Sequence, residues 1–95
     1  MNKIEGLIGL TRRAGKLVVG TDNVLDYVRK NKVFLVLILN DASENTKKKL
    51  LDKCVFYGVE SKEIENSANL ERILNNNKKA LGIADKGFAE AIKKG

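Results

Sequence analysis

The apolar positions of this 95-residue chain alternate between helical and extended spacing from end to end. Ile4, Leu7, Ile8 and Thr11 fall at i, i+3, i+4 and i+7, one face of a helix over Lys3–Ala14. Gly15 stops that helix, as a glycine just past the last turn does. Lys16 to Val19 reads as a short strand ended by Gly20. Thr21 is expected to cap a second helix by accepting from a first-turn N–H, and Asp22 suits the positive helix end. Val24, Leu25 and Val28 supply the buried face of that helix, which ends near Asn31.

From Val33 to Leu39 every position is apolar. A run without alternation needs cover on both faces, which places it as a central strand between helical layers. A third helix is expected to start at Ser43 or Asp41 and to run through Tyr57, with Leu50, Leu51, Cys54 and Val55 inward and Gly58 closing it. Ser61–Glu65 reads as an edge strand and Asn69–Leu74 as a short helix. The polar loop Asn75–Lys79, a small-residue strand Ala80–Ala84 and a last helix Lys86–Lys94, packing through Phe88 and Ile92, complete the chain. Strictly alternating helices and strands predict one domain over residues 1–95. Its expected form is a three-layer α/β/α sandwich around a mixed four-stranded sheet.

Composition then narrows the chemistry. The chain has no His, no Pro, no Trp and one Cys. Without imidazole there is no Ser-His or Cys-His pair and no His-ligated zinc. A lone Cys54 forms neither an internal disulfide nor a Cys-rich metal site, in keeping with a reducing, cytoplasmic setting. Between Leu51 and Val55 it reads as buried packing. The longest apolar run, seven residues, falls well short of the roughly 20 that span a bilayer. The expectation is a non-enzymatic protein with no cofactor, no metal and no membrane partner.

Charge adds direction. Lys and Arg number 18 against 12 acids, a net of +6. Residues 1–32 carry seven of the bases and three of the acids, a net of +4. Such a balance points to a polyanion, of which RNA and DNA are the commonest in a cell. Gly9–Lys16 resembles a phosphate-binding P-loop only superficially: Leu17 stands where Mg²⁺ needs a hydroxyl, and the segment runs from helix to strand. The turn Val19-Gly20-Thr21-Asp22-Asn23 is more informative. Gly20 admits close approach, the next helix presents N–H groups, and Asp22 and Asn23 are placed to hydrogen-bond base edges. Lys47-Lys48-Lys49 reads as a solvated helix face. Tyr27, Phe34, Phe56, Tyr57 and Phe88 are too core-spaced for a stacking platform.

Read whole, the chain resembles the kink-turn RNA-binding ribosomal protein superfamily (the L-seven-Ae type), and most of all its YlxQ-like bacterial branch. The resemblance rests on Leu7-Ile8-Gly9-Leu10, on Arg13-Ala14-Gly15-Lys16-Leu17-Val18-Val19-Gly20 and on Leu37 to Thr46. Lys49, Asp52-Lys53-Cys54 and Gly82 to Ala89 extend it over nearly the full length. It implies a ribosome-associated RNA binder whose second helix enters the widened major groove of a kinked RNA and reads sheared G·A pairs. It also implies that the loop before the fourth strand clasps a flipped-out nucleotide. On this reading Lys16, Gly20, Thr21, Asp22 and Asn23 form the reading site. Arg12, Arg13, Lys78 and Lys79 neutralise phosphates, and Asn76 and Asn77 face an unstacked base. The strongest kink-turn readers carry Gly-Ala-Asn-Glu-x-x-Lys at the helix start, whereas this chain has Gly20-Thr21-Asp22-Asn23-Val24-Leu25-Asp26. Asp22 and Asp26 bring negative charge where those proteins have an amide and a lysine. The alternative is a protein-interaction module of the same fold, with ribosome-associated proteins as partners.

Overall fold

The computed structural model describes residues 2–74 and 78–95, so the expected loop residues Asn75, Asn76 and Asn77 lie outside the described residues. Nine elements follow in order: α1 (Lys3–Arg13), β1 (Leu17–Val19), α2 (Thr21–Arg29), β2 (Leu35–Leu39), α3 (Glu44–Tyr57), β3 (Glu60–Ile64), α4 (Ala68–Leu74), β4 (Ala80–Ile83) and α5 (Lys86–Lys94). The sheet order is β1-β4-β2-β3. β4 runs antiparallel to both β1 and β2, while β3 lies parallel to β2 across the α3 crossover. The mixed sheet and the alternation of elements are as the apolar pattern predicts.

Side-chain alternation along the strands divides the core in two. Leu35, Leu37, Leu39, Leu81 and Ile83 point to the face covered by α1, α4 and α5, where they meet Ile8, Leu70 and Ile92. Val36, Ile38 and Ala80 point to the opposite face, against Val24, Val28, Leu50 and Cys54 of α2 and α3. All five residues of β2 are buried, which is why its sequence shows no polar position. Edge strand β3 is closed to further pairing by its own composition, Glu-Ser-Lys-Glu, with only Ile64 buried. Gly82 sits under the α2 layer, where a Cβ would come within 2.9 Å of Val33 Cγ1.

Several expectations need correction. Val33 and Phe34 precede the strand: Val33 is buried as a core plug, whereas Phe34 is 47% exposed. Helix α2 stops at Arg29, and Asn31 takes a left-handed turn at φ +55°. Leu51 and Val55 do not face inward; they are 45% and 81% exposed. α3 seats itself through Leu50 and Cys54, four residues apart, so a neighbour one position further on is rotated about 100° out of that seam. Cys54 is buried as expected, and burial pushes its thiol up to about 11.

Glu5 is buried at the start of α1 and ties this helix to the start of α4. Its carboxylate accepts from Ser67 Oγ at 2.7 Å, the Asn2 backbone N–H at 3.2 Å and Asn69 Nδ2 at 3.3 Å. The Ser67 hydroxyl, the strongest influence, holds the carboxyl below its ordinary 4.5 against the opposing effect of burial. A lowered folded-state value means that the contribution is present above 4.5 and is lost as pH falls through the folded value. Urea melts between about pH 3 and 7 are therefore expected to show an acid-side loss of stability that Glu5→Gln flattens.

Candidate functional site

The carboxyl ends of β1 and β2 and the amino end of β4 converge at one end of the sheet. There, α2 and α3 both begin. The Gly20 N–H donates to Ala80 O at 2.9 Å, and the Leu39 N–H donates to Lys79 O at 2.9 Å, which clamps the three segments side by side. An open cleft of about 450 Å³ results, walled by Val19 to Asn23, by Thr46 and by Lys78 and Lys79.

The two helix starts differ. Ser43 closes α3: its hydroxyl accepts from the Thr46 N–H at 3.2 Å and donates to Thr46 Oγ1 at 2.9 Å. Among the described residues no side chain caps α2, whose N-cap residue is Gly20 rather than the expected Thr21. Thr21 is instead the first helical residue and lines the cleft. With the Val24 N–H already bonded to Gly20 O at 2.9 Å, the N–H groups ahead of it at the α2 start face the cleft with the positive end of the helix dipole. Gly20 adopts φ +100° and ψ 145°, a conformation essentially reserved for glycine. The stem of Lys78 passes over Gly20, 3.7 Å from where a Cβ would stand, an ordinary contact distance, so the backbone angle and not space is what requires glycine here.

Polar side chains complete the cleft. Asn23 Nδ2 donates to Val19 O at 3.1 Å, which leaves its Oδ1 free to accept. Asp22 adds an exposed carboxylate, and Thr46 a hydroxyl whose proton is free to donate. Lys79 Nζ is held by Asp41 Oδ2 at 2.8 Å; that ammonium, helped by Asn66, keeps the Asp41 carboxyl below its usual range. Lys78 is exposed, and among the described residues it forms no ion pair. The set combines backbone donors and cations with two acceptors, which suits a phosphate beside a base edge. Among the described residues, no group of three or more His, Cys, Asp and Glu is placed to hold a metal ion.

Residues 2–93 match the ribosomal protein L7Ae/L30e/S12e/Gadd45 family. This chain belongs to that family. An RNA-binding protein YlxQ of Enterococcus faecium is 42% identical over 91 residues, covering 96% of this chain and 88% of its own. An RNA-binding protein YlxQ of Bacillus subtilis (strain 168) is 40% identical over 87 residues, covering 90% and 87%. A solved structure from Bacillus halodurans C, described as a protein with unknown function, superposes at a TM-score of 0.90 with 35% identity, over 99% of this chain and 96% of that one. The Giardia lamblia 15.5kD RNA binding protein shares the fold, at a TM-score of 0.77 and 20% identity, over 95% of this chain and 78% of its own.

Within this L7Ae-family fold, the residues singled out from sequence divide into groups. Gly20, Thr21, Asp22, Asn23, Lys78 and Lys79 meet in the one cleft. Lys16 lies at the other end of β1, where its carbonyl accepts from the Ala84 N–H at 2.8 Å. Arg12 and Arg13 border a separate depression with Gly6, Gly9, Leu10 and Ile73 on the α1–α4 side of the sheet. Asn76 and Asn77 lie outside the described residues. Sequence reasoning missed Thr46, whose only local signal is the Ser43 cap three residues earlier. Asp26, read from sequence as a misplaced negative charge, is paired with Arg29 at 3.0 Å and Lys30 at 3.0 Å within α2. Hydrogen bonds from Lys30 first and Arg29 second hold its carboxyl below the ordinary range.

Proposed function

We propose that this chain is a non-enzymatic RNA-binding protein that recognises structured, kink-turn-like RNA through the start of α2. We place its action in the cytoplasm, in association with ribosomal RNA. The observation that carries this reading is the α2 start, with Gly20 as its N-cap and no side-chain cap among the described residues, open to a cleft that Lys78 flanks. An RNA backbone satisfies the open N–H groups and the lysine together, while Asn23 Oδ1 and the Asp22 carboxylate accept from exocyclic amino groups of bases. Two relatives named as RNA-binding proteins support the same partner. Neutralisation of Asp26 inside α2 removes one of the two acids, with Asp22, that favoured the alternative of a module turned to protein partners.

Titration of three labelled RNAs tests the proposal: a kink-turn, an unkinked duplex of the same composition and a ribosomal RNA fragment. The kink-turn is expected to bind at least about tenfold more tightly than the duplex, the equivalent of one well-read base contact. Each phosphate neutralised adds a slope of about −0.7 to −0.9 to the log–log salt dependence. Equal and weak binding of all three RNAs would remove specific recognition from the account.

A further inference from the structure

α3 carries an outward stripe that the cleft does not use. Thr46, Lys49, Lys53 and Phe56 are spaced i, i+3, i+7 and i+10, one face of the helix, and the stripe begins in the cleft at Thr46. At about 1.5 Å per residue it extends ~15 Å away from the α2 start. Lys49, Asp52, Lys53 and Phe56 together form a shallow depression of about 380 Å³. Lys47 is engaged with Glu63 at 3.7 Å and Glu44 at 3.9 Å, whereas among the described residues Lys49 and Lys53 form no ion pair. Phe56 is 79% exposed. Its ring lies edge to face with Tyr57 at a centroid distance of 4.9 Å, and Tyr57 packs on the core. Phe56, whose spacing predicts a core position, is instead at the surface.

We propose that this stripe is a second RNA contact, a track for single-stranded nucleotides that leave the α2 cleft. The proposal rests on the RNA-binding reading above. Lys49 and Lys53, one helical turn apart, take successive phosphates, and Phe56 offers its free face to an unpaired base. The two cations outweigh Asp52, so the charge of the stripe complements a polyanion, and its continuity with the cleft sets where the strand enters. Cations that meet the backbone, together with an aromatic ring on which a base can stack, hold single strands without sequence preference.

A kink-turn RNA with a tetra-adenosine tail, placed on each free end in turn, is titrated beside the untailed RNA. Wild-type protein is expected to bind one tailed form about tenfold more tightly than the untailed RNA. Its salt slope should be steeper by about 1.4, the value for two single-strand phosphates. Phe56→Ala should lose the gain from the tail yet hold the untailed RNA as before, and Lys49→Ala with Lys53→Ala should lose the added slope. All these positions are exposed, and circular dichroism confirms that the variants are folded. If the untailed RNA binds and no tail tightens it, the track is wrong while the α2 site stands. A tail gain that survives Phe56→Ala also overturns the proposal. Failure of both RNAs to bind overturns the track together with the reading beneath it. Nuclease-resistant capture of a protein, lost in Phe56→Ala while the tail gain is absent, assigns the face to a protein and overturns the RNA track.

Discussion

Leu37→Ala is expected to lower unfolding stability by about 2–5 kcal/mol, whereas Val55→Ala leaves it within about 0.5 kcal/mol. Leu37 is fully buried at the centre of β2, between β4 and β3 and beneath the α1–α4–α5 layer. Truncation removes its transfer free energy and leaves a cavity that flanking strands cannot close, because their register is fixed on both sides. In a domain of this size the melting temperature should fall by about 4–8 °C for each kcal/mol. Val55 is 81% exposed, so its methyl groups gain little from folding. Equal losses in the two variants, measured by thermal and urea melts, would mean that α3 is rotated from the position described.

The second large effect concerns the cleft. Asn23→Ala combined with Lys78→Ala is expected to weaken kink-turn RNA binding by about 100-fold, with the fold unchanged. The two substitutions act differently. Asn23 accepts at a base edge, so its loss should erode the preference for the kink-turn over the duplex. Lys78 meets phosphate, so its loss should weaken all RNAs alike and reduce the salt slope by about 0.7–0.9. Both side chains are exposed, and among the described residues the one bond Asn23's side chain contributes to the fold is that to Val19 O. Unchanged affinity in the double variant would locate the RNA elsewhere on the molecule.

What could be read from sequence followed from whether the deciding interactions are local. α5 matches its expected span and α1 ends one residue before its own, because periodicity and caps coincide: Asn2 with Glu5 opens one, and Asp85 opens the other by accepting from the Phe88 N–H. β2 was legible because burial on both faces leaves no polar position. α3 was not legible in its orientation. Leu50, Leu51, Cys54, Val55 and Phe56 are apolar around much of the helix, and only packing against α2 and the sheet selects Leu50 and Cys54.

The candidate site shows the same division. Gly20 and the helix start that follows were evident from turn chemistry. Thr46 and the passage of Lys78 over Gly20 were not, because they depend on β4 inserting between β1 and β2, a non-local choice of strand order. Arg12, Arg13 and Lys16, close to Gly20 in sequence, stand apart from the cleft because β1 runs between them and it. The ion pairs of Asp26 are local, at i+3 and i+4, and could have been anticipated from helical spacing alone.

The central claim is that RNA is read by the open start of α2. Backbone amide chemical-shift mapping of isotope-labelled protein, titrated with kink-turn RNA, tests it most directly. The amides of Thr21, Asp22 and Asn23 are expected to shift most, with Thr46 and Lys78 close behind and α5 unmoved. A titration in which those amides stay still while the α1–α4 face around Arg12 and Arg13 responds would contradict it.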